Sequence, residues 1–328
     1  MIDFKRNNFF PLNNFINSKL VYKIIINLII DSQIKNNFKI YDVSSTFFIR
    51  KNSFIFINKN FEKEINLPKS VLLITDNENI FINNKYINKI LVKNLDEAFI
   101  KLVNFITIHD DSILYQDNFF EKDGSYISHE SNIHSSSKIG KNCVIGKGVE
   151  VGKNCLIKNN VVIKNSILKN NIIICDNTVL GSSGFGFNLK KLGAESIIPQ
   201  IGIVYIDDNV HIGSNCTVDR GKIDFTYIGP NSVIDNMVHI AHNVIIDSNA
   251  CIAAQTGISG STQIGKNLIC GGQVGFAGHI KVGDNVIVAA KSGVTKNILS
   301  HSTIAGFPAT DIKVWKRKII LEKKNGHK

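Results

Sequence analysis

Aliphatic residues recur at every sixth position through most of the second half of this 328-residue chain. From Ile228 the spacing holds at twelve consecutive positions and ends at Val294. Earlier positions with the same spacing are Ile127, Ile133, Ile139, Ile145, Val151, Ile157 and Ile163, then Ile167, Ile173 and Val179, then Ile206, Ile212 and Val218. A period of six is neither helical nor simply alternating. It is typical of a solenoid in which each hexapeptide supplies one short strand, with the aliphatic residue inward, and one corner. Three hexapeptides close one triangular coil of 18 residues.

Two interruptions of the repeat locate loops. Residues 181–200 lack the spacing altogether, so we expect this segment to protrude from one corner of the solenoid. The second interruption, at 219–225, is shorter. Because long loops in compact folds are usually functional, the segment 181–200 is a candidate part of a site.

The distribution of glycine divides the chain into two parts. All 24 glycines lie at Gly124 or later, and the preceding 123 residues have none. The first part has helix-like spacing from Phe15 to Ile29 and again around Ala98 to Phe105, with strand-like runs at 54–57, 71–75 and 89–92. We therefore predict an α/β domain at 1–105, a linker at 106–125, a β-helix at 126–305 and a basic, helical tail at 306–328.

Charge and cysteine content narrow the function only in part. The 38 basic and 27 acidic residues give a formal charge of +11, which suits nucleic acid, anionic lipid, an acidic protein or a phosphorylated small molecule. Six cysteines without a CxxC pair are expected to be small buried core residues in a reducing compartment. The apolar runs are too short to span a membrane, and no signal-peptide cleavage site is evident, so we expect a cytoplasmic protein.

Two histidines stand out among the polar residues of the repeat. His242 lies two places past the inward Ile240, and His279 lies three places past the inward Phe276. They are 37 residues apart, which is two coils plus one residue, so we expect both on nearly the same edge, about 10 Å apart. Asp284 stands where a zinc-binding β-helix of the carbonic anhydrase type would need a third histidine, and the sequence therefore predicts no metal site.

A set of short motifs in a fixed order resembles one family, the UDP-3-O-acylglucosamine N-acyltransferases of lipid A biosynthesis. The motifs are GFGF at 184–187, IPQIG at 198–202, DRG at 219–221, IAHNV at 240–244, GH at 278–279, GFPA at 306–309 and KVW at 313–315. The resemblance is close over about 125–318 and loose over the N-terminal domain. It implies a mainly β fold, a left-handed parallel β-helix with a small N-terminal α/β domain and a short C-terminal helix, assembled as a homotrimer with active sites between adjacent β-helices.

The resemblance also implies an activity. A 3-hydroxyacyl chain is moved from the 4′-phosphopantetheine arm of an acyl carrier protein to the 2-amino group of UDP-3-O-(3-hydroxyacyl)-glucosamine, with no bound cofactor and no nucleic acid. His242 would be the general base, and the backbone N–H of Gly260 would stabilise the oxyanion. Asp235 and Asn236 would support this site, and His279 would contact substrate or the pantetheine arm.

Further binding roles follow from the same resemblance. The family holds uracil with a Phe-x-x-Asn-x-x-Tyr pattern. The positions that correspond to it, directly or after a shift of one residue, are Asn58, Phe61, Phe54 and Phe56. His239 stands where we expect Gln, and His239 and Gln255 are candidate substrate contacts. The basic tail would help to receive the acidic carrier protein.

Two alternatives stay open at this point. One is another hexapeptide-repeat enzyme, either the O-acyltransferase that acts one step earlier or an acetyltransferase. The other is an inactive β-helical scaffold that binds a nucleotide sugar.

Overall fold

The computed structural model describes residues 5–10, 16–35, 37–46, 48–80, 82–83, 87–107, 117–188, 197–306 and 317–322. Its larger part is a three-sided parallel β-helix, in which each coil contributes one short strand to each of three sheets. Successive strands of one sheet are usually 18 residues apart, as in the pairing of His239 with Gly257 and of Gly257 with Gly275. The prism predicted from the period of six is therefore confirmed.

We call the three sheets face 1, face 2 and face 3 in the order in which the chain visits them. The strands of face 1 are Phe119–Lys122, Ser125–Ser128, Val144–Ile145, Val162–Ile163, Val179–Ser182, Thr217–Asp219, His239–Ile240, Gly257–Ile258, Gly275–Phe276 and Gly293–Val294. The strands of face 2 are Asn132–Ile133, Glu150–Val151, Ser166–Leu168, Ile203–Ile206, Phe225–Ile228, Ile245–Ile246, Gln263–Ile264 and Lys281–Val282. The strands of face 3 are Lys138–Ile139, Leu156–Ile157, Ile173–Ile174, His211–Ile212, Val233–Ile234, Cys251–Ile252, Ile269–Cys270, Ile287–Val288 and Thr303–Ile304.

The aliphatic residues of the repeat fill the prism. All twelve positions from Ile228 to Val294 are at most 4% exposed. Where the spacing shifts after Ile163, however, the prediction was wrong by one residue. Val151 pairs with Leu168, and the inward residues there are Leu168, Ile174 and Leu180. The coil that ends at Leu168 is one residue shorter than the others, and each inward residue has an aliphatic neighbour, so the spacing alone did not choose between them.

One corner carries a ladder of asparagine side chains. Between faces 2 and 3, each Asn side chain donates through Nδ2 to Oδ1 of the Asn one coil further on, over 2.8–3.3 Å. The members are Asn154, Asn171, Asn209, Asn231, Asn249, Asn267 and Asn285. All have a φ of +56 to +61°, a left-handed conformation that Asn adopts more readily than other residues with a Cβ. The corner is thus specified by residue type as well as by spacing.

The N-terminal part is an α/β domain with two short helices, α1 (Ser18–Ile24) and α2 (Leu95–Ile106), and 3-10 turns at Arg6–Asn8 and Ile26–Leu28. Its main sheet has the strand order Ile29–Gln33, Asn88–Val92, Val71–Thr75, Ser53–Ile57 and Asp42–Ser44, and Ile16–Asn17 pairs with Lys39–Ile40. The predicted helix around 95–106 and the three predicted strands are present. The predicted helix at 15–29 ends at Ile24, because a 3-10 turn and an edge strand follow.

The buried Arg6 and the partly buried Arg50 join this domain to the prism. Arg6 is 5% exposed, pairs with Asp42, and donates through Nε and Nη2 to the carbonyl oxygens of Ile201 (2.9 Å) and Ile223 (2.7 Å). Arg50 lies between Asp42 and Asp224 of the prism. Buried charge of this kind requires well-placed partners, which fixes how the two parts meet.

Some predicted boundaries and burial states differ from the structure. The predicted linker at 106–125 contains the strand Phe119–Lys122, which pairs antiparallel with Ser125–Ser128 on face 1. In the tail, a helix spans 317–322, while most of the GFPA and KVW motifs lies outside the described residues. Five cysteines are buried as expected, but Cys251 is exposed on face 3. No helix among the described residues is long and apolar enough to cross a membrane.

Candidate active site

The imidazole of His242 lies between two glycines at the corner that joins face 1 to face 2. A Cβ on Gly260, one coil below, would be 2.8 Å from Nε2 and Cε1 of His242. A Cβ on Gly184, in the segment that interrupts the repeat, would be 2.6 Å from the His242 Cβ. Only glycine therefore fits at either position with the ring in this place. Gly184, outside the repeat, and Gly260, within it, thus enclose this side chain from two sides.

Asn243 determines which ring nitrogen of His242 carries the proton. The backbone N–H of Lys222 donates to Asn243 Oδ1 over 2.9 Å, and this same oxygen is 3.1 Å from His242 Nδ1. Because a backbone N–H can only donate, the oxygen of the Asn243 amide must face it, and His242 Nδ1 must then donate to that oxygen. The Asn243 N–H is itself held by Thr226 Oγ1 (2.9 Å). Nε2 of His242 is left with its lone pair, on the side of Gly260.

The surroundings keep His242 neutral. Burial lowers the pKa of His242 below its usual value of about 6.5, and the positive charges of Lys222 and His279 lower it further, while the bond to Asn243 acts in the opposite direction. The ammonium of Lys222 lies over the ring of Phe99 in α2, 4.4 Å from its centroid. A neutral imidazole with a free Nε2 is a proton acceptor near neutral pH.

A backbone donor and a second imidazole lie beside His242. Within the described residues, the Gly260 N–H takes part in no hydrogen bond. His279 is at the same corner, is exposed, and donates its backbone N–H to the Gly260 carbonyl over 3.1 Å. Its φ of +62° matches those of Asn243 and Ser261, which are the equivalent residues of the two preceding coils. The structure thus brings together His242, Gly260 and His279.

Asp235, Asn236 and Gln255 do not join this group within one chain. They occupy the corner between faces 3 and 1, at the opposite edge of face 1. Asp235 Oδ1 accepts from the backbone N–H of Asn236, and Asn236 Oδ1 accepts from that of Ser214. Gln255 accepts from Gln273. Within one chain, Asp235 and Asn236 therefore do not contact His242, because their polar atoms hold the turns of another corner. Their support of a site formed between adjacent β-helices stays a prediction.

The aromatic residues of the N-terminal domain divide between core and edge. Phe54 is 0% exposed, so it offers no face for a base to stack on. Phe56 packs edge-on against Phe99 (4.9 Å between centroids). Asn58 is exposed just after the strand Ser53–Ile57, and its carbonyl accepts from the N–H of the half-buried Phe61 over 3.1 Å. Only Asn58 and Phe61 of the four predicted residues form a pair at an open edge.

Several residues of interest were not predicted as site residues. Asn243 follows His242 at a left-handed corner position, and recurring Asn at corners was the available signal. Asp76 follows the strand Val71–Thr75, so it lies at the same sheet edge as Asn58, and its Oδ1 is buried without a partner in the described structure. His239, by contrast, was predicted as a candidate substrate contact; it lies on face 1 and is held by Thr217, with Asp219 nearby. No three metal-ligating side chains cluster within the described ranges.

Comparisons with known proteins agree with this geometry. Residues 225–260, which include His242 and Gly260, match the family model described as bacterial transferase hexapeptide (six repeats). Residues 125–199 match a model described as the GMPPB C-terminal domain. The first match falls on coils of the prism, and the second covers its earlier coils and most of the segment 181–200.

Solved structures share the fold. The structure of LpxA from Acinetobacter baumannii superposes with a TM-score of 0.51 and 24% identity, over 60% of this chain and 76% of that one. The UDP-N-acetylglucosamine acyltransferase of Francisella novicida gives a TM-score of 0.50 and 23% identity, over 60% and 72% of the two chains. The repeat and the fold define the class, a left-handed β-helix of hexapeptide repeats.

Curated relatives narrow the class further. The UDP-3-O-acylglucosamine N-acyltransferase of Desulfotalea psychrophila is 53% identical over 147 residues, which is 45% of this chain and 43% of the relative. That of Caulobacter vibrioides is 56% identical over 140 residues, 43% of this chain and 41% of the relative. That of Methylacidiphilum infernorum is 58% identical over 86 residues, 26% and 24% of the two chains. The matched stretches span less than half the length of these relatives. Over this part of the chain, the resemblance to UDP-3-O-acylglucosamine N-acyltransferases is confirmed.

Proposed function

We propose that this chain transfers a 3-hydroxyacyl group from an acyl carrier protein to the 2-amino group of UDP-3-O-(3-hydroxyacyl)-glucosamine, a step of lipid A biosynthesis. The observation that carries the proposal is the arrangement at His242, a neutral imidazole with a free Nε2 next to the unused Gly260 N–H. A base and an oxyanion donor side by side are what acyl transfer to an amine requires. The named activity of the relatives gives the substrate class.

The reaction follows from this geometry. The amine nitrogen attacks the thioester carbonyl carbon, and His242 Nε2 takes the proton that the nitrogen loses. The carbonyl oxygen becomes an oxyanion that accepts a hydrogen bond from the Gly260 N–H. When the intermediate collapses, the carbon–sulfur bond breaks and the imidazolium returns its proton to the leaving thiolate. The products are the amide and the free thiol of the pantetheine arm.

The edge at Asn58 and Phe61 suits the uridine part of the acceptor. Phe61 offers a partly exposed aromatic face for stacking, and Asn58 and the unpartnered Asp76 Oδ1 offer hydrogen-bonding groups beside it. A carboxylate oxygen accepts from a ribose hydroxyl or from the uracil N–H. The missing hydroxyl at Phe61 is thereby offset by a neighbouring acceptor.

A homotrimer completes the site. Face 3 exposes an apolar column in which Val233, Ile269 and Ile287 are 50%, 54% and 43% exposed, a pattern typical of surfaces covered by a partner. Covering it with a second copy brings corners of different chains together. Asp235, Asn236 and Gln255 of one copy then approach His242 of the next, which accounts for their distance from it within one chain.

The basic C-terminal tail is the proposed contact for the acidic carrier protein. Arg317 and Lys318 are exposed on the helix at 317–322. Complementary charge of this kind mainly increases the rate at which two proteins associate, and the effect weakens as the salt concentration rises.

The experiment that tests the function is an assay of the purified chain with two acceptors, UDP-3-O-(3-hydroxyacyl)-glucosamine and UDP-N-acetylglucosamine. Each is offered with 3-hydroxyacyl carrier protein or with acetyl-CoA, and products are resolved by mass spectrometry. We expect amide formation on the first acceptor with the carrier protein alone. Ester formation on the second acceptor, or acetyl transfer, would instead establish one of the related acyltransferases, and no transfer would establish a binding scaffold.

A further inference from the structure

A polar group separate from His242 lies on the outer surface of face 1. His239 pairs with Thr217 of the preceding coil and with Gly257 of the next. Its side chain is 50% exposed. The family resemblance led us to expect Gln at this position, so His239 offers a different side-chain chemistry there.

Thr217 orients the ring of His239. Thr217 Oγ1 is 2.7 Å from His239 Nδ1, a short hydrogen bond. When the hydroxyl donates to Nδ1, the proton of the neutral ring is on Nε2. This N–H faces Asp219 on the neighbouring coil.

Asp219 and His239 face one another without a direct hydrogen bond. His239 Nε2 is 3.8 Å from Asp219 Oδ2, beyond hydrogen-bonding distance. The Asp219 side chain is only 11% exposed, and burial raises its pKa to about 6, an effect partly offset by the charges of His239 and Arg220. Because this carboxylate has lost most of its hydrating water, a hydrogen-bond donor at this position stabilises it.

One hydroxyl group can bridge these two atoms from the outer side, because they are only 3.8 Å apart. An oxygen about 2.8 Å from each can accept from the Nε2 proton and donate its own proton to Oδ2. The pair therefore favours a group that donates one hydrogen bond and accepts one, as a hydroxyl does. A methylene at the same place would leave both polar atoms unpaired.

The surface below His239 leaves room for a substrate to reach the pair. The next outward residues on face 1 are Gly257, Gly275 and Gly293, and a Cβ added to any of them would meet no atom within 4 Å. This open track is about 14 Å long at the usual strand spacing. It ends at His239.

The pair also lies close to His242 along the chain. His239 precedes His242 by three residues in the same coil, a span of at most about 10 Å. Asp219 pairs with Ser182, at the root of the segment that places Gly184 against His242. A molecule whose hydroxyl binds here is therefore within reach of the catalytic corner.

We propose that His239 Nε2 and Asp219 Oδ2 bind a single hydroxyl group of a substrate and select for substrates that carry it. The inference rests on the proposed acyl transfer for the identity of the substrates. Two sources supply such a hydroxyl, the 3-position of the acyl chain and the sugar ring of the acceptor.

The test compares ligands that differ only in that hydroxyl. Calorimetry on the full chain measures binding of 3-hydroxyacyl pantetheine against acyl pantetheine of equal length, and of the UDP-sugar against its ring-deoxy analogues. In one of the two arms we expect the hydroxylated ligand to bind about tenfold or more tightly, as for a hydrogen bond to a charged group. His239→Ala should reduce that ratio to about one by weakening only the hydroxylated ligand. Thr217→Val, which frees the ring to rotate, should reduce the ratio in part.

His134→Gln is the matched control, because His134 is an exposed imidazole bonded to Ser136 elsewhere on the prism. It should leave the ratio unchanged. Equal binding of hydroxylated and deoxy ligands by the wild-type chain in both arms, or an unchanged ratio in His239→Ala, would overturn the proposal. Because binding is measured without turnover, absence of acyl transfer would count against the proposed function and not against this pair.

Discussion

At the scale of the residue, the catalytic assignment rests on one amide oxygen. Asn243 Oδ1 accepts from both the Lys222 N–H and His242 Nδ1, and this fixes the ring's tautomer as well as its orientation. The sequence was enough to place His242 and His279 at one corner, because a difference of 37 residues is close to a whole number of coils. It could not place Gly184 against His242, because that contact comes from a segment without the repeat.

The pH dependence of the reaction should report the state of His242. Since the base must be unprotonated, kcat/KM should fall as the pH drops through its pKa, which burial holds below the usual value of about 6.5. In Asn243→Asp, a carboxylate beside Nδ1 favours the imidazolium and raises this pKa, so the acid limb should move to higher pH. The measurement is the pH profile of kcat/KM for both proteins.

Asn243→Gly provides the matched comparison, because glycine keeps the left-handed backbone and removes the acceptor. Its acid limb should move to lower pH, since the bond that raises the pKa of His242 is lost, and its turnover should fall. Identical acid limbs in all three proteins would mean that His242 is not the titrating base.

At the scale of the element, the corners are specified as strongly as the strands. The seven asparagines of the ladder between faces 2 and 3 combine a left-handed backbone with a hydrogen bond to the next coil. The strands themselves were predictable where a single aliphatic residue marks each hexapeptide. They were misplaced by one residue at Leu168 and Ile174, where two aliphatic residues adjoin and one coil is a residue short.

Replacement of Asn231 should separate the two contributions of the ladder. Asn231→Ala loses hydrogen bonds to Asn209 and Asn249 and forces alanine into a left-handed conformation, which costs about 1–2 kcal/mol. Asn231→Gly loses the same bonds but keeps the conformation, at a backbone-entropy cost of about 0.5–1 kcal/mol. We expect both variants to melt at lower temperature than the wild type, with the alanine variant the less stable in calorimetry. Equal melting of all three would show that the ladder adds no stability.

At the scale of the whole molecule, the residues predicted to catalyse or support the reaction occupy two corners of one prism. His242, Gly260 and His279 lie at one edge of face 1, and Asp235 and Asn236 lie at the other. The repeat predicted the prism. It carries no information on which corners of neighbouring subunits would meet in an assembly. The N-terminal domain was harder to predict, because its short elements depend on buried contacts such as Arg6 with Asp42 that have no periodic signature.

Mixed assemblies test whether the proposed site is shared between copies. We expect His242→Ala and Asp235→Ala each to form inactive or weakly active homotrimers. Co-expression of the two variants should regenerate some intact sites, because one interface then pairs an unaltered His242 with an unaltered Asp235. Activity of the mixed trimer, separated by two affinity tags, should exceed the mean of the two parents. Activity equal to that mean would contradict a shared site. It would show either that both residues act within one chain or that Asp235 is dispensable.

The most direct measurement for the central claim is kcat/KM for amide formation with UDP-3-O-(3-hydroxyacyl)-glucosamine and 3-hydroxyacyl carrier protein, in the wild-type chain and in His242→Ala. We expect measurable transfer by the wild type and a loss of about 100-fold or more in the variant, with the melting temperature and the oligomeric state retained. Near-normal transfer by a folded His242→Ala protein would contradict the central claim.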